Sequence, residues 1–496
     1  MEKRHRACTC ADLPGVVDIT KGFIWSQQQQ RKQSQSGEEE VISPPKAVRE
    51  GRQELLKNLQ RTGWSPVQVD VTKIMCDDPP INNMELLQKH RQWKDLFVEL
   101  FEPEVVNNFK KEQDKEKGVD SALQYMEAES GAAGTASSEP KQSWQVHRCT
   151  CPSVCSSPRN NHDSLHSTSV SSSCEKLKPT VTTGALNGYL QGWANLAHAV
   201  VVTVRTLLEF PPNVLVQEKP CCLGNNSIHS EVGRCSVDLL RAFYYDTVSE
   251  GEEKLGSSPH TDWGSFTVVW QDDVGGLETF CHACGSWTRV PTAFSNNGDS
   301  VHEDSDGVLQ FILHVGDVTS LAAGRALQQE REHQYYRQKR NPAMARPLRC
   351  IGSKNAESTS ATALVTTNKV MWPSPCHRVV SPTGKEKRAS LVYFCYPPPE
   401  ISMDQITAGF LQSERKNLDN YWLSSSLLSL GQGCCQNQVL QEKDAFVVPY
   451  EDYYLLKNQQ STTKRKISSE QQFQAIATRP LKDVFKEKWL QVQRSS

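Results

Sequence analysis

The chain has 496 residues, a formal net charge of -2 at pH 7 and 37% hydrophobic residues, enough for a sizeable core with room left for polar padding. The near-neutral balance gives no sign of a nucleic-acid or membrane partner, no apolar run reaches the ~18 residues of a membrane span, and the opening M-E-K-R-H-R-A-C-T-C lacks the apolar core of a signal peptide. A soluble, cytoplasmic monomer is expected, with its 17 cysteines reduced.

In chain order, Leu13 to Ile19 reads as a short strand, followed by a polar insertion over 26–45. Its Gln, Ser and Glu residues bury too little apolar surface to order residues 26–40. Leu55, Leu56 and Leu59 mark one helix face that ends at Gly63-Trp64, and Val67 to Val71 reads as a strand. A helix is predicted at about Asn83 to Glu102, with His90 packed on its apolar stripe. These elements form an N-terminal region, residues 1–106.

Residues 107–180 are expected to be a largely disordered insertion, because charge-dense and Ser-rich stretches dominate them. Cys149, Cys151, Cys155 and Cys174, with His147, His162 and His166, lie there or at its edge. Their C-x-C-x3-C spacing fits no zinc ribbon or finger, and Cys8 and Cys10 stand apart at the terminus. Leu186, Leu190, Trp193, Ala197, Val200, Val204 and Leu207 then repeat at helical spacing until Pro211-Pro212, with His198 as a structural member. A strand from Val237 to Tyr245 follows.

The stretch that organises the chain is S-S-P-H-T-D-W-G-S-F-T-V-V-W-Q-D-D-V-G-G-L-E, Ser257 to Glu278. It sets His260 and Asp262 two apart at the head of a strand, where side chains share a face and can meet one ion. H-x-D arises by chance about once in a chain of this length, and His302-Glu303-Asp304 is such a decoy, in a polar stretch without apolar alternation. The first pair instead leads into a β-branched and aromatic run.

His377, in W-P-S-P-C-H-R-V-V-S-P, is the candidate third ligand. His314, in the core strand Val308 to Val318, is the rival but is read as packing, and His333 is weaker. Arg388 and Ser390 of R-A-S share a strand face and make a seat for a carboxylate, by charged bidentate grip and added hydroxyl. Cys281-His282-Ala283-Cys284 is read as a hairpin turn rather than a redox or metal pair. Residues 294–307 and 324–363 are insertions in a core running over 181–400. The extension 401–496 begins with loop or helix around Thr407 to Tyr421 and ends with a helix over Phe473 to Trp489, after a tether from Asn458 to Gln471.

Taken together, H-T-D-W-G-S with Q-D-D-V-G-G-L-E, H-V-G-D-V, S-P-C-H-R-V-V-S-P and R-A-S with Y-P-P-P resemble the iron(II)- and 2-oxoglutarate-dependent dioxygenases of the isopenicillin-N-synthase-like type. The resemblance implies a mainly β fold with flanking α-helices around a double-stranded β-helix, or jelly roll. It implies His260, Asp262 and His377 as iron ligands, and Arg388 and Ser390 for 2-oxoglutarate. Phe243-Tyr244-Tyr245 stands where plant members have N-Y-Y, which makes Tyr245 a further cosubstrate contact. Three protein donors on iron(II) leave three positions for 2-oxoglutarate and dioxygen, so hydroxylation with release of succinate and carbon dioxide is the expected outcome, desaturation or ring closure being variants. The alternatives are an iron oxidase that needs no 2-oxoglutarate, a silent binding module, and a zinc or manganese hydrolase or isomerase of cupin type.

Overall fold

The computed structural model describes residues 13–36, 44–73, 93–115, 123–127, 139, 141–148, 183–218, 238–249, 254–281, 285–292, 307–326, 329, 372–417 and 477–485. In chain order the elements are β1 (Val17–Asp18), α1 (Thr20–Ser36), α2 (Lys46–Thr62), β2 (Trp64–Asp70), α3 (Trp93–Leu100), α4 (Pro103–Lys115), β3 (Leu123–Met126), β4 (Lys141–His147) and α5 (Thr183–Leu207). Then come β5 (Leu239–Tyr245), β6 (Leu255–His260), β7 (Phe266–Gln271), β8 (Leu277–Cys281), β9 (Ser286–Arg289), β10 (Val308–Val315), β11 (His377–Val380), β12 (Arg388–Cys395) and α6 (Met403–Asn417).

The strands form two sheets, ordered β1-β2-β10-β7-β12-β5-β4-β3 and β6-β11-β8-β9, the two walls of a jelly roll. Its central strand β7 is buried at every position because both of its faces are covered. Phe266, Val268 and Trp270 point outward to the larger core cluster, where Trp193 of α5 lies 6.1 Å from Trp270 and 6.0 Å from Phe311. Val269 points inward, to a smaller cluster with Trp64, Phe243, Tyr245, Leu277, Val290, Ile312 and Val379 from both sheets. That cluster lies on the inner faces of the two sheets and lines the cup between them.

Several expectations need correction. Helix α1 extends to Ser36, into the stretch read as unable to order; its start is anchored by Phe23, and Ser26 Oγ bonds to the Phe23 carbonyl at 2.9 Å. The region 107–180 supplies most of α4 and two strands of the larger sheet. Strand β4 is ordered by its outer face: Trp144 is fully buried, meets Phe109 edge-on at 4.8 Å and donates from Nε1 to the Leu100 carbonyl at 3.0 Å. Its inner face carries Lys141 and Ser143 to the cup. The hairpin read at 281–284 joins β8 to β9, although residues 282–284 themselves lie outside the described residues, as do Cys8, Cys10, His90, Cys149, Cys151, Cys155, Cys174, His162, His166, the His302 decoy, His333 and the tether; His147 closes β4.

The link between β6 and β7 is pinned to the end of β10 by two glycines. A Cβ on Gly316 would lie 2.0 Å from the Gly264 carbonyl oxygen, and one on Gly264 would lie 2.2 Å from that of Cys395. The close approach lets the Asp317 amide donate to the Asp262 carbonyl at 2.7 Å and the Gly316 amide to Ser265 at 2.9 Å. Gly316→Ala is therefore expected to cost at least the upper end of the ~1–3 kcal/mol typical of overpacking, read as a lower midpoint in urea. A wild-type midpoint would contradict the close approach.

Candidate metal centre

His260 closes β6, and Asp262 lies just past it in the link to β7, so the pair ends a strand rather than heading one. His377 opens β11 directly opposite His260 in antiparallel register, which brings the two rings to 4.3 Å between centroids. Asp262 Oδ1 lies 3.8 Å from His260 Nε2 and 3.7 Å from His377 Nε2. The donor atoms of this trio all fall within 4.8 Å of one another, a spacing at which they could hold one metal ion.

Both imidazoles are oriented from behind. His260 Nδ1 is 2.7 Å from the Ser258 carbonyl and His377 Nδ1 is 3.0 Å from that of Pro375. A carbonyl only accepts, so each Nδ1 carries the proton and each Nε2 turns its lone pair to the shared space. Burial, then His377, pushes His260 down to about 4 against the opposing pull of Asp262, and burial lowers His377 as well. Both rings are thus neutral at pH 7, the form that ligates a metal. Burial by itself would raise Asp262, but His377, His314 and His260 around it hold its carboxyl below the usual range. The mixed N and O donor set suits a ferrous ion.

Arg388, 1% exposed, opens β12 with Ser390 on the same inner face. Its Nη1 donates to Ser390 Oγ at 3.2 Å, its Nη2 to Gln271 Oε1 at 3.5 Å and its Nε to the Gly275 carbonyl, and its guanidinium lies 4.5 Å from the centre of the Tyr245 ring. These hydrogen-bond partners are all neutral. The nearby Asp272 spends its carboxylate on the backbone amides of Ala389 and Gly275; burial pushes it up to about 6 against the influence of Arg388. A buried guanidinium held by neutral groups is a seat for an added anion.

The register carries the inner face of β12 from Arg388 and Ser390, opposite Tyr245 and Gln271, along to Phe394, whose row contains Thr267 and His314. His314 is not lost in packing, as its strand suggested. It is fully buried, but its ring faces His377 at 4.6 Å and Asp262 Oδ2 at 3.6 Å from Nδ1. The signal for this was strand parity, since residues two apart from Ile312 share its inward face. Glu139 and Lys141, to which the sequence assigned no role of their own, pair at 2.6 Å, and Glu139 Oε1 accepts the Ser258 amide at 2.7 Å, tying the start of β4 to the residue whose carbonyl orients His260. His198 is structural, bonded to the Tyr393 hydroxyl at 3.1 Å.

Residues 236–325, spanning β5 to β10, match the family model of the 2OG-Fe(II) oxygenase superfamily. Over these residues the chain is similar to that superfamily. Gibberellin 20 oxidase 2 of Oryza sativa subsp. indica is 36% identical to this chain over 96 residues, covering 18% of the chain and 24% of the relative. Clavatol oxidase of Penicillium crustosum is 28% identical over 121 residues, covering 24% of the chain and 32% of the relative. The chain thus spans about a quarter to a third of the length of these curated relatives. Among solved structures, the dioxygenase for auxin oxidation in rice aligns with 78% of this chain and 84% of its own, at 13% identity and a TM-score of 0.39. Among the described residues, no helix is long and apolar enough to cross a membrane.

Proposed function

We infer that this chain is an iron(II)- and 2-oxoglutarate-dependent oxygenase that hydroxylates a small organic substrate. The observation that carries the reading is the convergence of His260, Asp262 and His377, with both Nδ1 atoms tied back to carbonyls, inside the same cup as a buried arginine held by neutral groups. In this reading the trio holds ferrous iron. Arg388 and Ser390 grip the distal carboxylate of 2-oxoglutarate, and the Tyr245 ring keeps the guanidinium aimed. Iron and the keto acid, when bound, supply the oxidising chemistry, in which dioxygen is consumed as 2-oxoglutarate is decarboxylated to succinate.

The protein's own part is ligation, orientation and exclusion of water. Neutral imidazoles and one carboxylate leave the ion with positive charge to attract an anionic keto acid. Phe243, Ile312, Leu277, Val290 and Val379 keep the space around it apolar. The test is succinate release from 2-oxoglutarate by the purified full chain with ferrous iron and air. Slow uncoupled succinate formation, stimulated by a substrate from a metabolite screen, is expected. Metal binding with oxygen uptake that does not depend on 2-oxoglutarate would replace this reading by an oxidase whose Arg388 and Ser390 hold the substrate's carboxylate.

A further inference from the structure

We propose that His314 is a positioning residue that holds Asp262 through its outer carboxylate oxygen, so that only the inner oxygen is offered to the metal. The inference rests on the metal-centre reading above and concerns which oxygen does what. The geometry divides the carboxylate in two. Oδ1 faces His260 and His377 at 3.8 and 3.7 Å, whereas Oδ2 faces His314 Nδ1 at 3.6 Å.

Among the described residues, Asp262 Oδ2 and both ring nitrogens of His314 are buried without a hydrogen-bond partner. Buried polar atoms rarely remain unsatisfied, and here two such atoms face each other just beyond bonding range. A side-chain rotation of Asp262 of under about 1 Å would bring the pair to the ~2.9 Å of an N–H···O bond. The ring has little room to turn elsewhere, because it is fully buried with Trp64 on β2 and Thr267 on β7 as its cross-strand neighbours. His260 and His377 each lean on a carbonyl through Nδ1; Asp262 has the imidazole of His314 in the corresponding supporting place. His314 lies outside the trio whose donor atoms cluster within 4.8 Å, so it supports a ligand and does not serve as one. A carboxylate kept to one oxygen on the ion leaves more of the coordination sphere to the keto acid and dioxygen.

Cobalt(II) binding by the metal-free full chain, measured by titration calorimetry and by the visible spectrum of the bound ion, tests this without turnover. His314→Leu is expected to bind cobalt about 10–100-fold more weakly with an altered spectrum, while its metal-free thermal midpoint is equal to or above the wild type's, since a buried unsatisfied group has been removed. His314→Asn places an amide N–H where Nδ1 was and is expected to restore affinity and spectrum. His314→Gln, whose amide lies further out, is not. Wild-type affinity and spectrum in the Leu variant, or an Asn variant as weak as Leu, would overturn the role of His314 while leaving the metal centre standing. Failure of the wild-type protein to bind cobalt would overturn both.

Discussion

Asp262→Ala protein is expected to bind no stoichiometric ferrous iron and to release succinate at least about 100-fold more slowly than wild type, the loss exceeding the ten- to hundredfold effects of residues that only support a ligand. Asp262 is the single anion among the trio and the one residue whose Oδ1 contacts both neutral imidazoles, at 3.8 and 3.7 Å. Without it, two imidazoles remain on one side of the ion with no charge to balance it. Asp262→Asn makes the comparison sharper, because shape is kept and charge is lost, and it should be almost as inactive. His377→Ala should behave likewise, since it removes one of the oriented Nε2 donors. Equilibrium dialysis with manganese(II), followed by metal analysis, reads binding independently of chemistry; stoichiometric tight binding by the Asp262→Ala variant would exclude that residue as a ligand. The metal-free variant should remain folded, because the larger core cluster between sheet and helices does not include Asp262.

Arg388→Ala should leave metal affinity near the wild-type value yet raise the half-saturating 2-oxoglutarate concentration about tenfold or more. That matches the ~1.5–3 kcal/mol of a hydrogen bond to a charged group. Arg388→Lys is expected to restore only part of it, because the planar fork that also bonds Ser390, Gln271 and Gly275 cannot be copied by an ammonium group. Ser390→Ala should give a smaller rise of the same sign. Steady-state succinate assays across 2-oxoglutarate concentrations decide the matter. An unchanged half-saturation point for 2-oxoglutarate with a raised one for the organic substrate would transfer the seat to the substrate's carboxylate.

The two effects divide along the cup. Variants of the trio should abolish metal binding and turnover together, whereas variants of the arginine seat should act on cosubstrate affinity alone. Measuring both quantities on each variant therefore tests the architecture as well as the residues.

Much of the site was legible from the chain alone because its parts sit in short, locally patterned motifs. R-x-S at the head of a strand puts its side chains on a common face by period-two alternation, and H-x-D spans the end of one strand and the link before a β-branched run, both local properties of the chain. Helix α5 was legible for the same kind of reason, its buried residues Leu190, Trp193, Val200 and Val204 recurring at helical spacing. What local pattern could not decide was pairing between distant strands. Only the register of β11 on β6 sets His377 opposite His260, and only the placement of β10 between β2 and β7 turns His314 toward Asp262. The strand status of residues 141–147 was likewise decided at long range: a polar sequence with one tryptophan becomes sheet because helices α3 and α4 cover Trp144 and β5 supplies its backbone partners. Residue identity thus determined which chemistry was available, through side-chain type and alternation, and tertiary structure decided which of those groups meet, because contact across a barrel depends on strand order and register, to which the local period is blind.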